Sequence, residues 1–403
     1  MSTVTPREQL LSHSLEPYLP ALARIARRGQ LLRDPLYHRL KHEIDRVVAG
    51  LEWRLEPPSP SPNVAHGRLR AVAWNIERGK RFDGIKALLV EHPALRDADI
   101  VMLSEVDIGM NRSGGRNVAR ELAAAMGMSY VYANGYLLLS PGDKGEKTNE
   151  WPTGLSLHGN ALLSRFPIVR WEGVALGEFK DKFHAFEKRL GEKRAIVAEL
   201  ALPDGPMTVA VVHTDPFAPP KHRARQVKRV LAAIEKFGHH RVLLGGDLNT
   251  NTWNLGGPFR VAVDMAHKVV RLGVDQSIAE YMTPWRTFER GLFDALTEHG
   301  LRLDGLNDFS QATIYYDLQD EALMAKSRQY IPGVAIRYLE RRLRPWNGRV
   351  PMRIDWFAGR GLAPAPGHMP GTEHACHTLD RPTWGGEPVS DHEPILVDIA
   401  LSR

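Results

Sequence analysis

The chain has 403 residues, of which 43% are hydrophobic and 25% are charged, a composition typical of globular proteins. Its formal net charge of +6 is a mild bias towards anionic partners and identifies none of them. Cys376 is the only cysteine, so an intrachain disulfide, and with it a secreted disulfide scaffold, is excluded.

Residues 1 to about 56 are predicted to form a helical N-terminal extension. Apolar residues such as Leu22, Ile25 and Ala26 recur there at three- and four-residue spacing. A proline-rich linker over residues 57–68 ends this region. The first residues lack a signal-peptide pattern, and no apolar run approaches the ~18 residues needed to span a bilayer. We therefore expect a cytoplasmic protein without a transmembrane segment.

Residues 69–403 are predicted to form one α/β domain, in which short apolar runs alternate with amphipathic helices. The predicted strands are Leu69–Trp74, Ile100–Leu103, Ala161–Leu163, Ala195–Leu200, Thr208–Val212, Val242–Leu244, Met352–Trp356 and Ile395–Ile399. The predicted helices between them include Val118–Met126 and Arg223–Phe237. Residues of about 255–350 break the alternation, so we expect helical insertions there, from Phe259 to Leu272 and from Ala322 to Leu343.

Acidic, amide or histidine side chains stand at the ends of six of these strands. They are Asn75 and Glu77, Glu105, His213, Asp247 and Asn249, Asp355, and Asp391 with His392. Polar groups just beyond strand ends tend to converge on one edge of a sheet, where carboxylates repel each other unless a cation neutralises them. Oxygen ligands without cysteines suit Mg²⁺ or Mn²⁺. The pattern therefore predicts a site that combines a metal with acid–base groups.

Seven short motifs occur in one order along this region: W-N-x-E, S-E-V-D, H-G-N-A-L-L-S-R, V-H-T-D, G-G-D-L-N, R-I-D-W and S-D-H-E-P. This series resembles the endonuclease/exonuclease/phosphatase superfamily from about Leu69 to Leu401. Each motif alone is weak, but seven in order are specific. The resemblance implies a four-layer α/β/β/α sandwich of two mixed sheets and a divalent-metal-dependent hydrolysis of phosphoesters.

The resemblance also implies roles at the metal. Glu105 matches the principal metal ligand of the family, and Asn75 matches an amide that orders the metal site. Glu77 stands where relatives often have a second acidic contact, and Asp391 matches a further carboxylate at the metal edge. Mg²⁺ or Mn²⁺ is the cofactor that this set implies.

A second group matches residues that act on water and phosphate. Asp247 and Asn249 match the pair that positions the attacking water and the phosphoryl oxygen. His213 matches a histidine that donates to the phosphoryl group, and His392 matches the final histidine, with Asp355 as its orienting carboxylate. Whether Asp247 or His392 is the general base stays open, as does the choice between one metal ion and two.

Two further residues are candidates for binding substrate phosphate. Asn160 matches a phosphate-contacting amide of the family. Arg112 follows Glu105 on a loop with Arg116, and either arginine could reach phosphate or brace the loop. The basic residues bunched between Lys180 and Arg194 are more often a solvated face than a binding site.

The function predicted from these observations is a phosphodiesterase or nuclease-like hydrolase, with a phosphomonoesterase or phospholipid diesterase as the alternative. Its substrate partner would be a nucleic acid, an inositol phosphate or a phospholipid headgroup. Aromatic residues in and beside the 255–350 region, Trp253, Trp285, Phe288 and Trp346, could contact such a substrate or fill a core. A non-catalytic adaptor that keeps the fold is less favoured, because every expected site position is filled. The sequence does not give the oligomeric state.

Overall fold

Two mixed β-sheets packed face to face form the centre of the molecule. The computed structural model describes residues 7–142, 154–185, 187–250, 273–317, 348–365 and 374–401, with single residues at 263, 337, 341, 343 and 344. The described strands of the larger sheet are β1 (Glu8–Gln9), β2 (Leu51–Arg54), β3 (Arg68–Arg78), β4 (Ile100–Ile108), β5 (Ser129–Leu138), β6 (Leu157–Ser164), β8 (Arg189–Gly191), β15 (Cys376–Thr378) and β18 (Ile395–Ala400). They lie in the order β1-β2-β5-β6-β4-β3-β18-β15, and β8 pairs with β5. Only β3 and β4 are parallel among these described pairs.

The smaller sheet lies in the order β14-β11-β10-β9-β7. Its strands are β7 (Ile168–Ala175), β9 (Arg194–Leu202), β10 (Gly205–Val211), β11 (Val242–Asp247) and β14 (Asp355–Arg360). Strands β10 and β11 are parallel, whereas β14 runs antiparallel to β11. Two short ribbons lie outside the sheets: they pair β12 (Ile314–Asp317) with β13 (Arg349–Met352), and β16 (Thr383–Trp384) with β17 (Glu387–Pro388).

Helices cover the outer face of each sheet. The described α-helices are α1 (Leu19–Arg24), α2 (Arg28–Leu31), α3 (Pro35–Val48), α4 (Phe82–Glu91), α5 (Val118–Met126), α6 (Pro220–Phe237), α7 (Val274–Met282) and α8 (Arg290–Glu298). Apolar residues of α3, α4 and α5 pack on the larger sheet, and those of α6 and α8 pack on the smaller sheet. This order of layers confirms the predicted four-layer sandwich. No described helix is both long and apolar enough to cross a bilayer.

The alternation of side chains along each strand divides the interior into layers. In β3, Leu69, Ala71 and Ala73 belong to the core between the two sheets. The alternate residues Val72 and Trp74 belong to the core under the helices. Successive side chains of a strand point to opposite faces, so a central strand covered on both sides is mostly apolar.

One edge of the sandwich collects the strand ends that carry the predicted site. The parallel strands β3 and β4 end there side by side, and β10 and β11 do so in the second sheet. Strands β14 and β18 run antiparallel to β11 and β3, so they begin at the same edge. The topology thus places polar groups from six strands on a common rigid base.

The helical prediction for residues 1–56 is wrong in part. Strands β1 and β2 pair with each other, and β2 pairs with β5, so both extend the larger sheet. The buried carboxylate of Glu52 in β2 accepts hydrogen bonds from the backbone N–H of Leu11, the hydroxyl of Tyr130 and the amide of Asn117. The alternation of burial over residues 51–53 of β2 is typical of a strand. The three hydrogen bonds satisfy the buried carboxylate of Glu52. The division into an extension, a linker and a domain stays a prediction.

Three other features differ from the sequence-based expectation. The predicted strand Met352–Trp356 is divided between β13 and β14, because Arg353 turns into the interior and donates to the backbone carbonyls of Asp308 and Gln311. Strands β5 and β7 were not predicted. Apart from isolated positions, the predicted helices at 259–272 and 322–343 lie outside the described residues.

Candidate active site

An aspartate, a histidine and a second aspartate form the centre of the strand-end cluster. Asp355 opens β14, and its Oδ2 lies 2.8 Å from Nδ1 of His392, just before β18. Asp247 ends β11 and is the register partner of Asp355. All three residues are buried. Because Nδ1 of His392 is held by Asp355, Nε2 is the ring nitrogen that faces the rest of the site.

Asn75 joins this group from the opposite sheet. Its Nδ2 donates to Oδ2 of Asp247 at 3.1 Å and lies 3.5 Å from Nε2 of His392. The other oxygen of Asp247 accepts the backbone N–H of Asn249 at 2.8 Å, and the Asn249 amide donates to the carbonyl of Thr214. These contacts fix the Asp247 carboxylate at the meeting point of the two sheets.

The buried charges shift the protonation of these groups. Burial and the charge of Asp355 raise the pKa of Asp247 to about 7. Burial would lower the pKa of His392, but the charge and hydrogen bond of Asp355, with further charge from Asp391, hold that pKa well above its usual range. At neutral pH the His392 side chain is therefore a cationic donor, and the Asp247 carboxyl can take up or release a proton.

His213 follows β10 and faces three groups at once. Its Nε2 lies 3.4 Å from Asp247 Oδ2, 3.9 Å from Glu105 Oε1 and 2.7 Å from Nζ of Lys193. Burial, followed by the charge of Lys193, lowers the pKa of His213 well below its usual range. The sequence placed Lys193 in a bunch of basic residues favoured as a solvated face, and the structure contradicts this for Lys193, which is 7% exposed. Its position directly before a strand that neighbours the His213 strand is the signal that could have found it.

The carboxylates predicted to bind metal lie at the same edge but are less closely drawn together. Glu105 approaches Arg78 at 3.5 Å, and Glu77 pairs with Lys80 at 2.9 Å. Desolvation raises the pKa of Asp391. The charge of His392 opposes this shift, whereas the charges of Glu77 and Glu105 add to it, so the pKa stays raised. In the described part of the chain, the group whose possible ligand atoms all lie within 4.8 Å of one another is Asp247, Asp355 and His392.

The hydrogen bond within that tight group disfavours a metal ion bound at His392 Nδ1. A metal ligated by His392 Nδ1 would have to replace the hydrogen bond to Asp355. The oxygen-rich set of Asn75, Glu77, Glu105 and Asp391 instead fits a hard divalent cation by its chemistry. After burial, the charges of Glu77 and Glu105 add to the raised pKa of Asp391, a repulsion that a cation would relieve.

The backbone is strained at several of these positions. Six described residues other than glycine have a positive φ, and four of them are site residues or their neighbours: Glu77 (45°), Arg78 (69°), Glu105 (54°) and Asn249 (46°). Glu105 lies where the register between β4 and β6 shifts. This conformation costs about 1–2 kcal/mol per residue, and such strain clusters at functional sites.

The two predicted phosphate contacts have structural partners. Asn160 in β6 is buried and donates from Nδ2 to the carbonyl of Arg194 at 2.6 Å. Arg112 is 2% exposed and is paired with two buried carboxylates, those of Asp107 and Glu187. For Arg112 these ion pairs favour the alternative in which its guanidinium braces the loop, and its binding of substrate phosphate stays a prediction.

Two of the four aromatic residues considered as substrate contacts fill a core. Trp285 packs edge-on against Phe293 and Trp356, and Phe288 packs against Tyr281. The other two, Trp253 and Trp346, lie outside the described residues.

The fold and the site define an α/β sandwich protein with an acid–base centre of carboxylates, an amide and imidazoles at the meeting edge of its sheets. The sequence model of the Endonuclease/Exonuclease/phosphatase family matches residues 72–392, and the chain belongs to this family. Membership agrees with a hydrolase of the phosphoesterase type.

The chain also resembles solved structures at low sequence identity. An endonuclease/exonuclease/phosphatase from Beutenbergia cavernae is 14% identical, with 83% of this chain and 72% of that chain covered and a TM-score of 0.45. The 3′ phosphatase NExo from Neisseria, bound to a product DNA hairpin, is 15% identical over 83% and 100% of the two chains, with a TM-score of 0.43. Sphingomyelinase C from Streptomyces griseocarneus is 15% identical over 83% and 99%, with a TM-score of 0.42. At these values the likenesses carry no argument about activity, and no curated protein matches the chain.

Proposed function

We propose that this protein is a Mg²⁺- or Mn²⁺-dependent phosphodiesterase or nuclease-like hydrolase. The observation that carries the proposal is the buried relay of Asp355, His392 and Asp247, joined by Asn75 across the two sheets. In this proposal Asp247 is a proton acceptor and His392 a cationic donor, and both lie at the same edge as three carboxylates that suit a divalent cation. Attack of water on a phosphoester needs these components.

The cation would be held by Glu105 and Asp391, with Glu77 and Asn75 as further oxygen donors. When bound, it would neutralise charge on the non-bridging oxygens of the substrate. The conformation of Glu105, set by the shift in strand register, directs its carboxylate towards His213 and the common edge.

The residues of the chain supply the proton transfers. Asp247, held by Asn75 and the backbone of Asn249, accepts a proton from the water that attacks phosphorus. The P–O bond to the leaving alcohol breaks as the new P–O bond forms. His392, held by Asp355, donates its proton to the leaving oxygen, so the products are an alcohol and a phosphate with one ester bond fewer. The rate should fall whenever either hydrogen-bonded pair is broken.

The decisive experiment measures hydrolysis of bis(p-nitrophenyl) phosphate by the purified full-length protein. We expect hydrolysis with Mg²⁺ or Mn²⁺ that stops on addition of EDTA. Glu105→Gln and His392→Ala should each lower kcat/KM by about a hundredfold or more, which is the usual effect of removing one group of this kind.

Matched controls separate the site from general effects. Glu172→Gln removes a carboxylate from β7, and His66→Ala removes an exposed histidine, both away from the strand-end cluster. These two variants should keep wild-type activity. Chelator-insensitive hydrolysis, or full activity in both site variants, would contradict the proposal.

A screen across nucleic acids, inositol phosphates and phospholipids then assigns the substrate class. A nuclease should lose affinity steeply as salt rises, because it releases counterions from a phosphate backbone. A weak salt dependence with turnover of a small phosphate ester would favour the phosphomonoesterase or phospholipid alternative.

A further inference from the structure

Lys193 is a buried cation that no carboxylate of the described residues pairs directly. It lies directly before β9 and is 7% exposed. Its backbone is held on both sides, because its N–H donates to Glu178 Oε1 at 3.1 Å and its carbonyl accepts the N–H of Leu176. Within the described residues the ammonium has one hydrogen-bond partner, Nε2 of His213 at 2.7 Å. Buried lysines are rare without an acidic partner.

The chemistry of the ammonium fixes the direction of this contact. Burial lowers the pKa of Lys193 to about 8, although Glu105, Asp215 and Asp247 oppose the change, so the ammonium is the main form at neutral pH. Because an ammonium donates and cannot accept, Nε2 of His213 accepts the hydrogen bond. An ammonium has three N–H groups, so two of them have no partner in the described structure.

The position of Lys193 places those two N–H groups where a substrate would lie. Nε2 of His213 is within 3.4–3.9 Å of both Asp247, the proposed proton acceptor, and Glu105, the proposed cation ligand. Lys193 contacts the same nitrogen at 2.7 Å. The partly satisfied ammonium therefore borders the space between the water-activating and cation-binding groups.

A neighbouring lysine shows what a structural role looks like in this segment. Lys182 is equally buried, but its ammonium pairs with Asp215 at 3.0 Å and with Glu178 at 3.4 Å. Its charge is thus balanced within the protein. The contrast between two buried lysines eleven positions apart indicates that the charge of Lys193 serves a group that comes from outside.

We infer that Lys193 is a catalytic residue that donates hydrogen bonds to the non-bridging oxygens of the bound phosphoester. The inference rests on the proposed function, since it concerns the same site. Lys193 also holds Nε2 of His213 and so orients the imidazole beside Asp247 and Glu105. The ligand class is a phosphate group with at least two anionic or partly anionic oxygens.

Binding of inorganic phosphate to the full-length protein, measured by calorimetry, tests this without turnover. Lys193→Met should raise the Kd of phosphate about tenfold to a hundredfold, as loss of a charged hydrogen bond commonly does. Lys193→Arg should restore part of the affinity. Lys188→Met is the matched control, because its ammonium donates to the carbonyls of Ala23 and Ile25 and should leave the Kd unchanged.

Kinetics separate this role from a purely structural one. If Lys193 only orients His213, Lys193→Met lowers kcat while the Kd of phosphate stays at the wild-type value, and the inference is overturned. It is also overturned if the wild-type protein binds no phosphate. If the wild type hydrolyses no phosphoester but its phosphate binding weakens in Lys193→Met, the proposed reaction fails and the phosphate site stands.

Discussion

Removal of the Arg112 guanidinium distinguishes a structural brace from a substrate ligand. Arg112 donates to Asp107 and to Glu187, and Asp107 also contacts Nδ1 of His158 at 2.7 Å. The side chains of Arg112, Asp107 and Glu187 are each at most 3% exposed. In Arg112→Met the Asp107 carboxylate remains buried with its main cation gone, whereas Glu187 keeps its ion pair with Arg189. Loss of one partner from a buried ion pair costs about 3–5 kcal/mol, a large share of the ~5–15 kcal/mol that stabilises a typical protein.

The assay is equilibrium unfolding in urea at pH 7, followed by circular dichroism, with wild type and Arg112→Met compared. Arg116→Met is the matched control on the same loop, since its guanidinium is 39% exposed and pairs with Glu121 at 3.1 Å. The control should change the free energy of unfolding by less than about 1 kcal/mol. Adding Asp107→Asn to Arg112→Met should recover part of the loss, because the uncompensated charge of Asp107 disappears.

The reasoning is refuted if Arg112→Met unfolds with a free energy within about 1 kcal/mol of wild type, the range expected for a surface pair. A raised KM at unchanged stability would instead support the original prediction that Arg112 binds substrate phosphate.

Three further changes test other parts of the structure. Asp355→Asn should lower the pKa of His392, because the carboxylate is the main group that raises it; an NMR titration of the imidazole showing no downward shift would refute this. The fold lowers the pKa values of Asp107 and Glu187. The stability that these ionised carboxylates give the protein is therefore complete above their ordinary pKa of about 4, and it is lost as the pH falls through their pKa values in the folded state. The stability difference between wild type and Glu187→Gln, measured by urea unfolding, should therefore shrink from pH 7 to pH 3, and a constant difference would contradict the assignment. Glu52→Ala should destabilise the protein by about 2 kcal/mol or more, since it leaves three donors unpaired. Glu172→Ala is its half-buried control, and equal stability of the two variants would show that β2 does not depend on this acid.

The sequence predicted the strands that carry the site because those strands combine an apolar run with a polar end. Residues 242–244, followed by Asp247, are an example, and β11 covers all of them. Strand β5 escaped prediction because all of its residues are buried, so period-two alternation is absent, and Asn134 and Gly135 interrupt its apolar run. Its identity as a strand depends on β2 and β6, which lie far away in the sequence.

Lys193 escaped for a related reason. Charge predicts exposure for a lysine considered by itself, and the surrounding sequence from Lys180 to Arg194 is rich in basic residues. Its burial is set by Glu178 and His213, which belong to other elements. The sequence pattern shows which residues carry reactive side chains. The packing of the strands shows which of these side chains meet at one edge of the sheets.

The backbone at the site departs furthest from what the residue types favour. Glutamate and arginine carry no signal for a left-handed conformation, yet Glu77, Arg78 and Glu105 adopt it, where glycine would be relaxed. Glu77 and Arg78 end β3, and Glu105 lies beyond the apolar run that opens β4. Core packing alone therefore does not select their backbone conformation. The departures concentrate where carboxylates must leave the strand direction and turn to the common edge. Strain at these positions is therefore best understood as a consequence of aiming the acidic groups, and it is the part of the site that residue types cannot specify.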